Sequence, residues 1–274
     1  MPLVEANGVR LFVKDRGSGT PILFVHGSWS DHHGWDLVVP GLSAQFRTVA
    51  YDRRGHSQSE GLDTSGPRVR NAQDLLALVD ALDFAPTFAA GSSYGSVILL
   101  TAAALRPDAF AGLFVHEPPA VSLLADDAQL APMLEESGRR MQAVEQLLDE
   151  GDVVAGARRF VETVAFGPGQ WEKLPARVRD TFVRNAATWR NERRDPQSLT
   201  IDLAALSRYP GPVVLSQGTQ SPPFFAAVLD RLAKALPQAK RHAFEGAGHA
   251  PQLSHPDAYV QALAGFVQAN AGGR

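Results

Sequence analysis

A chain of 274 residues can bury one large core and still carry an insertion, and a net charge of −3 offers neither nucleic acid nor an anionic membrane a basic face. The absence of cysteine excludes disulfides, thiolate metal sites and a cysteine nucleophile. No apolar run is long enough to span a bilayer, and Met1-Pro2-Leu3-Val4-Glu5 has neither the basic head nor the apolar core of a secretory leader, so the expected compartment is the cytoplasm.

The turn pair Asn7-Gly8, followed by alternation from Val9 to Lys14, predicts an N-terminal hairpin. Pro21 to Val25 is a continuous apolar run, the mark of a strand covered on both faces, and it ends in His26-Gly27-Ser28-Trp29. Phe46 to Tyr51 predicts the next strand, ending in Asp52-Arg53-Arg54-Gly55-His56-Ser57-Gln58-Ser59. A helix is expected from about Pro67 to Leu82, with Val69, Ala72, Leu75, Leu76, Val79 and Leu82 forming one stripe. Phe110 to His116 reads as a further buried strand, followed by Glu117-Pro118-Pro119. From about 120 to 208 strand signals give way to charged amphipathic helices. They return at Pro212 to Ser216 and near Arg241 to Phe244, with helices expected at Pro223–Leu236 and Pro256–Ala269 and a frayed Gly-Gly-Arg end. Strands alternating with helices imply a parallel sheet covered on both faces, and strands on both sides of the helical block make it an insertion.

Within this pattern Ala90-Gly91-Ser92-Ser93-Tyr94-Gly95-Ser96 stands out. The apolar Thr87-Phe88-Ala89-Ala90 precedes it, and the helical run Val97 to Leu105 follows. A strand turning directly into a helix strains its pivot and presents the pivot side chain at the tip, while flanking glycines let the two segments pass closely. Ser93 is therefore a candidate nucleophile; the bland alternative is a structural turn with an incidental serine.

These stretches together resemble the α/β-hydrolase family: His26-Gly27 after the third strand, Asp52 to Ser57 after the fourth, the Ser93 turn after the fifth, and Gly246-Ala247-Gly248-His249 after the last. The resemblance spans nearly the whole chain outside the helical block. It implies a mostly parallel eight-stranded sheet with helices on both faces, a core domain of residues 1–118 and 209–274, and a helical lid of residues 119–208. It also implies a serine hydrolase without metal or organic cofactor, acting on a small molecule.

A serine hydroxyl needs an adjacent base, and His249 lies where the family's base sits. The oxyanion would be met by the backbone N–H of Tyr94 and by Ser28, with Gly27 as second choice. Of the other histidines, His26 is expected to be structural; His32 and His33, being adjacent, do not share a helix face for a metal; and His56, His116, His242 and His255 read as loop, strand or surface residues. The stretch from Asp52 to Ser59 is expected to shape a turn beneath the site.

One departure concerns the third triad member. Most of the family carries an Asp in a Gly-x-x-Asp loop, which here reads Gly218-Thr219-Gln220-Ser221. Glu117 is the alternative, at the strand end from which many haloalkane dehalogenases and the zearalenone lactonases draw their acid; Asp202 and Asp230 lie in apparent helices. A solvated strand-end carboxylate is the bland reading of Glu117. The lactonases also share a Ser-Ser elbow and a His-Glu-x-Pro segment, and Thr188-Trp189-Arg190 falls near the place of their lid tryptophan. Trp29 and Trp189 are accordingly candidates for contact with the substrate, although a lid tryptophan is more often packing than binding. The resulting expectation is cleavage of a carboxylic ester, open or cyclic. Carbon–carbon hydrolysis of a diketone, small-ligand reception without turnover, and a lid serving as an interaction surface are the rivals.

Overall fold

The computed structural model describes residues 3–272. Gly273 and Arg274 of the tail expected to fray lie outside them.

Eight strands form one sheet: β1 (Leu3–Ala6), β2 (Val9–Arg16), β3 (Pro21–Val25), β4 (Arg47–Tyr51), β5 (Thr87–Ser92), β6 (Phe110–His116), β7 (Val213–Gly218) and β8 (Ala239–Phe244). Their spatial order is β1-β2-β4-β3-β5-β6-β7-β8. The β1/β2 hairpin is antiparallel and β2 joins β4 antiparallel, whereas every other neighbouring pair is parallel. The apolar runs follow from burial on both faces, because successive strand residues point to opposite sides. In β3, Leu23 and Val25 enter one core layer, while Ile22 and Phe24 enter the other. In β6, Leu113 and Val115 join the first layer and Phe114 the second.

The first layer is roofed by helices Arg68–Ala81, Tyr94–Leu105 and Pro223–Ala235, and the second by helix Pro256–Asn270. Tyr94–Leu105 is buried on all sides through Ala103, which explains its apolar sequence. Between β6 and β7 the chain runs through helices that include Ala131–Asp149, Val153–Phe160, Ala176–Arg184 and Ala186–Arg194. These helices, called the cap below, enclose a third core of their own: Val144, Leu148, Ala157, Val161, Trp171, Phe182, Ala186 and Trp189. Trp29, from the loop after β3, completes it.

The parallel strands deliver the loops after β3, β5, β6, β7 and β8 to one edge, where ligands bind in open α/β sheets. Glycine makes the central crossing possible. A Cβ on Gly95 would strike the carbonyl oxygens of Val25 and His26, and one on Gly91 would lie 2.8 Å from the Ser96 Cα. Both obstacles at Gly95 are backbone and cannot swing aside.

Gly95→Ala is thus expected to lower stability by about 3 kcal/mol or more, whereas Gly138→Ala should raise it by about 0.5–1 kcal/mol, since Gly138 lies mid-helix with open space at its Cβ. Urea unfolding of the two variants checks both signs; equal midpoints would contradict the crossing geometry.

Candidate active site

Ser93 is the pivot between β5 and helix Tyr94–Leu105, with φ 54° and ψ −125°. Such a backbone costs a non-glycine residue on the order of 1–3 kcal/mol and persists only where surroundings enforce it. The Ser93 N–H is held by the His116 carbonyl at 2.9 Å, and the helix that follows caps the Ser93 carbonyl through Ser96 N–H. Across the sheet Gly27 closes on the same residue: a Cβ there would lie 3.1 Å from both Ser92 O and Ser93 Cβ. The first N–H groups of a helix have no intrahelical acceptor, which leaves that of Tyr94 available beside Ser93. The Tyr94 side chain is buried, lies beneath the Arg53 guanidinium, and receives the Ser198 hydroxyl at 3.3 Å. Burial raises its phenol above the ordinary value.

On the next strand, Glu117 follows β6 with φ 42° and is fully buried. Its Oε1 accepts the Gly218 N–H at 2.7 Å, and its Oε2 accepts the His249 Nδ1–H at 2.6 Å. A carboxylate can only accept, so Nδ1 carries the imidazole proton and Nε2 of the neutral ring is left able to take one. Burial raises the Glu117 carboxyl, but the hydrogen bond from His249 and the electrostatic pull of the His249 and His116 imidazoles outweigh it, and the group ionises below its ordinary value. Phe225 stacks on the His249 ring at 4.8 Å, so the imidazole is held by its edge and by its face.

His116 supports the backbone of the same residue. Its Nε2–H donates to the His249 carbonyl at 3.2 Å, and its Nδ1 lies 3.0 Å from the Ser216 hydroxyl. Burial lowers its pKa to about 4, against the opposing pull of Glu117.

Ser221, at the position where an Asp was expected, sits in the turn after β7, its N–H bonded to the Gly218 carbonyl. Asp202 lies at a helix N-cap, where it accepts the Ala205 N–H, not within a helix as its sequence suggested. Asp230 is paired with Arg241 on the surface. Glu117 is the carboxylate brought to His249.

The loop after β3 departs most from expectation. Trp29, at φ 63°, and Trp189 are both enclosed; their rings lie 5.2 Å apart, and Trp29 also stacks on Phe160 at 4.8 Å and Phe182 at 6.0 Å. The sequence offers these tryptophans as substrate contacts, with packing as the alternative for Trp189. Their faces pack in the seam between sheet and cap, which is the packing alternative.

Polar contacts complete the seam. Arg53 Nη2 donates to Glu192 Oε1 at 2.6 Å, and the Ser28 hydroxyl donates to Glu192 Oε2 at 2.5 Å, with all the participating charges buried. Arg53 also holds the Asn71 amide oxygen, the Gly27 carbonyl and His56 Nε2. Asn185 joins the cap to two loops, donating to the Ser30 carbonyl at 2.8 Å and accepting the Ser57 N–H at 2.9 Å. The Asp52–Ser59 stretch is thus more than a turn: through Arg53 it is an anchor for the cap. Removing one partner of such a pair leaves a buried charge uncompensated, at about 3–5 kcal/mol.

Glu192, Asn185 and Phe225 were not singled out in the sequence. Glu192 lies among Arg190, Arg193 and Arg194 on a helix that reads as a solvated face, and Phe225 reads as an ordinary core position. Nothing local marks either.

The Asp31, His32 and Asp52 side chains also converge. Their carboxylates are already committed: Asp52 to the His32 N–H, His32 Nδ1 and the Gln58 N–H, and Asp31 to the His33 N–H and the Ser57 hydroxyl. The cluster braces loops. A polar cavity of about 580 Å³ beside Asn7, Arg54, Glu60 and Arg70 contains none of Ser93, Glu117 or His249, and its buried Arg54 is already paired with Asp74.

Comparison with known proteins gives the following. A family model described as the alpha/beta hydrolase fold matches residues 20–256. A 2-(acetamidomethylene)succinate hydrolase of Mesorhizobium japonicum is 26% identical over 97% of this chain and 94% of its own. Among solved structures, an alpha/beta hydrolase from Sphaerobacter thermophilus superposes with a TM-score of 0.75 at 25% identity, covering 96% of this chain and 99% of that one. An N-acyl homoserine lactone degrading enzyme superposes with a TM-score of 0.75 at 21% identity, over 97% of this chain and 100% of that one.

His116 generates a pH prediction. The unfolded chain protonates this imidazole near its ordinary value of about 6.5, whereas the folded chain resists until about 4. The unfolded state therefore binds more protons between those values, and stability falls as pH falls through that window. Burial holds His26 and His56 low as well, adding in the same direction. The urea midpoint should drop from pH 6.5 to 5, above the carboxylate range, and His116→Asn should make the drop shallower. An equally steep drop in His116→Asn would contradict a neutral His116.

Proposed function

Since the chain belongs to the α/β-hydrolase family, we propose that it is a serine hydrolase cleaving a carboxylic ester, cyclic esters included, through an acyl-enzyme. The observation that carries this reading is a serine, not a carboxylate, at the strained pivot, on the same sheet edge as a histidine whose Nδ1 is tied to a buried glutamate. An aspartate in that place would suit alkyl transfer, as in dehalogenases and epoxide hydrolases; a hydroxyl suits acyl transfer.

In this mechanism His249 Nε2 takes the Ser93 proton as Oγ attacks the carbonyl carbon. Glu117 keeps the imidazole in the Nδ1–H tautomer and stabilises the imidazolium that forms. The N–H groups of Tyr94 and Ser28 receive the oxyanion, with Gly27 close enough to Ser93 to keep that loop against the nucleophile. His249 then returns its proton to the leaving alcohol. A water that gives a proton to His249 attacks the acyl carbon, releasing the acid and restoring the Ser93 hydroxyl.

Two features bear on the substrate. The cap is bonded to the loops after β3 and β4 beside the candidate site, which fits a small-molecule substrate. The His116-Glu117-Pro118-Pro119 segment, shared with the zearalenone lactonases, extends the reading to lactones.

Hydrolysis of a short aryl ester, a longer-chain ester and a macrocyclic lactone is expected for at least one of the three, and to fall by about 10³-fold or more in Ser93→Ala. Turnover that survives Ser93→Ala would remove the acyl-enzyme, and a diketone cleaved faster than every ester would move the reading to carbon–carbon hydrolysis.

The acid makes a separate prediction. Glu117→Ala should lower kcat by roughly 10²–10⁴-fold while leaving Ser221→Ala within a few-fold of wild type. Wild-type kcat in Glu117→Ala would overturn the assignment of the acid without touching that of the nucleophile.

A further inference from the structure

Resting on the serine-hydrolase reading, we propose that Glu192 is a positioning residue for the oxyanion loop: anchored on Arg53, its carboxylate grips the Ser28 hydroxyl and sets the Ser28 N–H against Ser93. The cap thereby helps to build the catalytic centre beneath it as well as covering it.

The loop from His26 to Ser30 is fastened on each side but one. Beneath it, His26 Nε2 accepts the Arg53 N–H at 3.0 Å, and Arg53 Nη2 reaches the Gly27 carbonyl at 3.3 Å. Inward, Gly27 abuts Ser92 and Ser93. Farther along, Trp29 packs in one aromatic cluster with Phe160 and Trp189, and the Ser30 carbonyl is bonded to Asn185. At Ser28 itself the fastening is the hydroxyl on Glu192 Oε2 at 2.5 Å. Among the described residues no acceptor takes the Ser28 N–H. The peptide that would donate to the oxyanion is therefore oriented through its own side chain.

That orientation is under tension. The next residue, Trp29, has φ 63°, a left-handed conformation that a bulky side chain keeps only when its surroundings hold it. A cap latch alone would need only the Arg53–Glu192 pair, with Asn185 and the tryptophans. The second carboxylate oxygen goes instead to a residue of the oxyanion loop. An oxyanion donor works only within a narrow distance of the developing charge, and a displacement of about 1 Å can cost about 10²-fold in rate.

The test is steady-state hydrolysis of p-nitrophenyl acetate by wild type, Ser28→Ala, Glu192→Gln, Glu192→Ala and the Ser28→Ala/Glu192→Ala double variant, with fluorophosphonate labelling of Ser93 as a parallel readout. Ser28→Ala retains every backbone atom and the Arg53–Glu192 pair. It is expected to lower kcat about tenfold and slow labelling alike, while KM moves less than about threefold. Glu192→Gln, which can still bond Ser28 and Arg53, should retain most of kcat. Glu192→Ala should fall at least as far as Ser28→Ala, and the double variant should be no slower than Glu192→Ala, because both changes remove one contact. If Glu192→Ala does not fold, Ser28→Ala and Glu192→Gln decide the matter.

Wild-type kcat in Ser28→Ala, or losses that multiply in the double variant, would overturn the proposal while the nucleophile reading stands. Wild-type protein that neither turns over nor takes up the fluorophosphonate would remove the nucleophile reading itself, and this proposal with it.

Discussion

A carboxylate sealed from water organises the sheet edge that carries the candidate site. Desolvating Glu117 costs several kcal/mol unless hydrogen bonds replace the lost water. The replacements come from separate strands: the Gly218 N–H at the end of β7 and the His249 Nδ1–H from the loop after β8. One charge thus ties three consecutive strand ends together, and Gly218, where a Cβ would strike the Ala247 and Gly248 carbonyls, lets the last loop come close enough to reach it. His116 adds a second tie by holding the His249 carbonyl.

Backbone strain gathers around that charge. Of six non-glycine residues with positive φ among those described, Trp29, Ser57, Ser93 and Glu117 lie in the loops that form the site or carry the cap. Each is held by a contact from another element: Trp29 by cap aromatics, Ser57 by Asn185, Ser93 by the His116 carbonyl, and Glu117 by the Ser216 carbonyl. The cost is local and the compensation non-local, so the strained loops exist only in the assembled molecule.

This separation explains what could be read in advance. Apolar runs announce buried strands, and Gly91 and Gly95 mark the crossing at Ser93, because backbone geometry and two-sided burial leave local traces. The missing Asp at Ser221 directs attention to Glu117, since a strand-end carboxylate is one of few groups that chain order can bring to the same edge. The seam left no such trace. Trp29 and Trp189 look like substrate contacts until the faces of Phe160 and Phe182 are seen to enclose them. Glu192, amid arginines, looks solvated until Arg53 and Ser28 are found 139 and 164 residues away in the chain. Contacts at such separation are decided by packing, which a local pattern does not encode.

The seam also bears on how this chain could be rebuilt. The cap leaves the sheet at the C-terminal end of β6 and rejoins it at the N-terminal end of β7, as one continuous insertion. Here a graft cut at those ends would strip Arg53 of its counter-ion, Trp29 of its stacking partners and the Ser30 and Ser57 backbones of Asn185. The unit that packs together is therefore discontinuous: the cap with the loops after β3 and β4. A recombinant that moves all three keeps its charges paired, and one that moves the cap alone brings a foreign lid to an orphaned arginine.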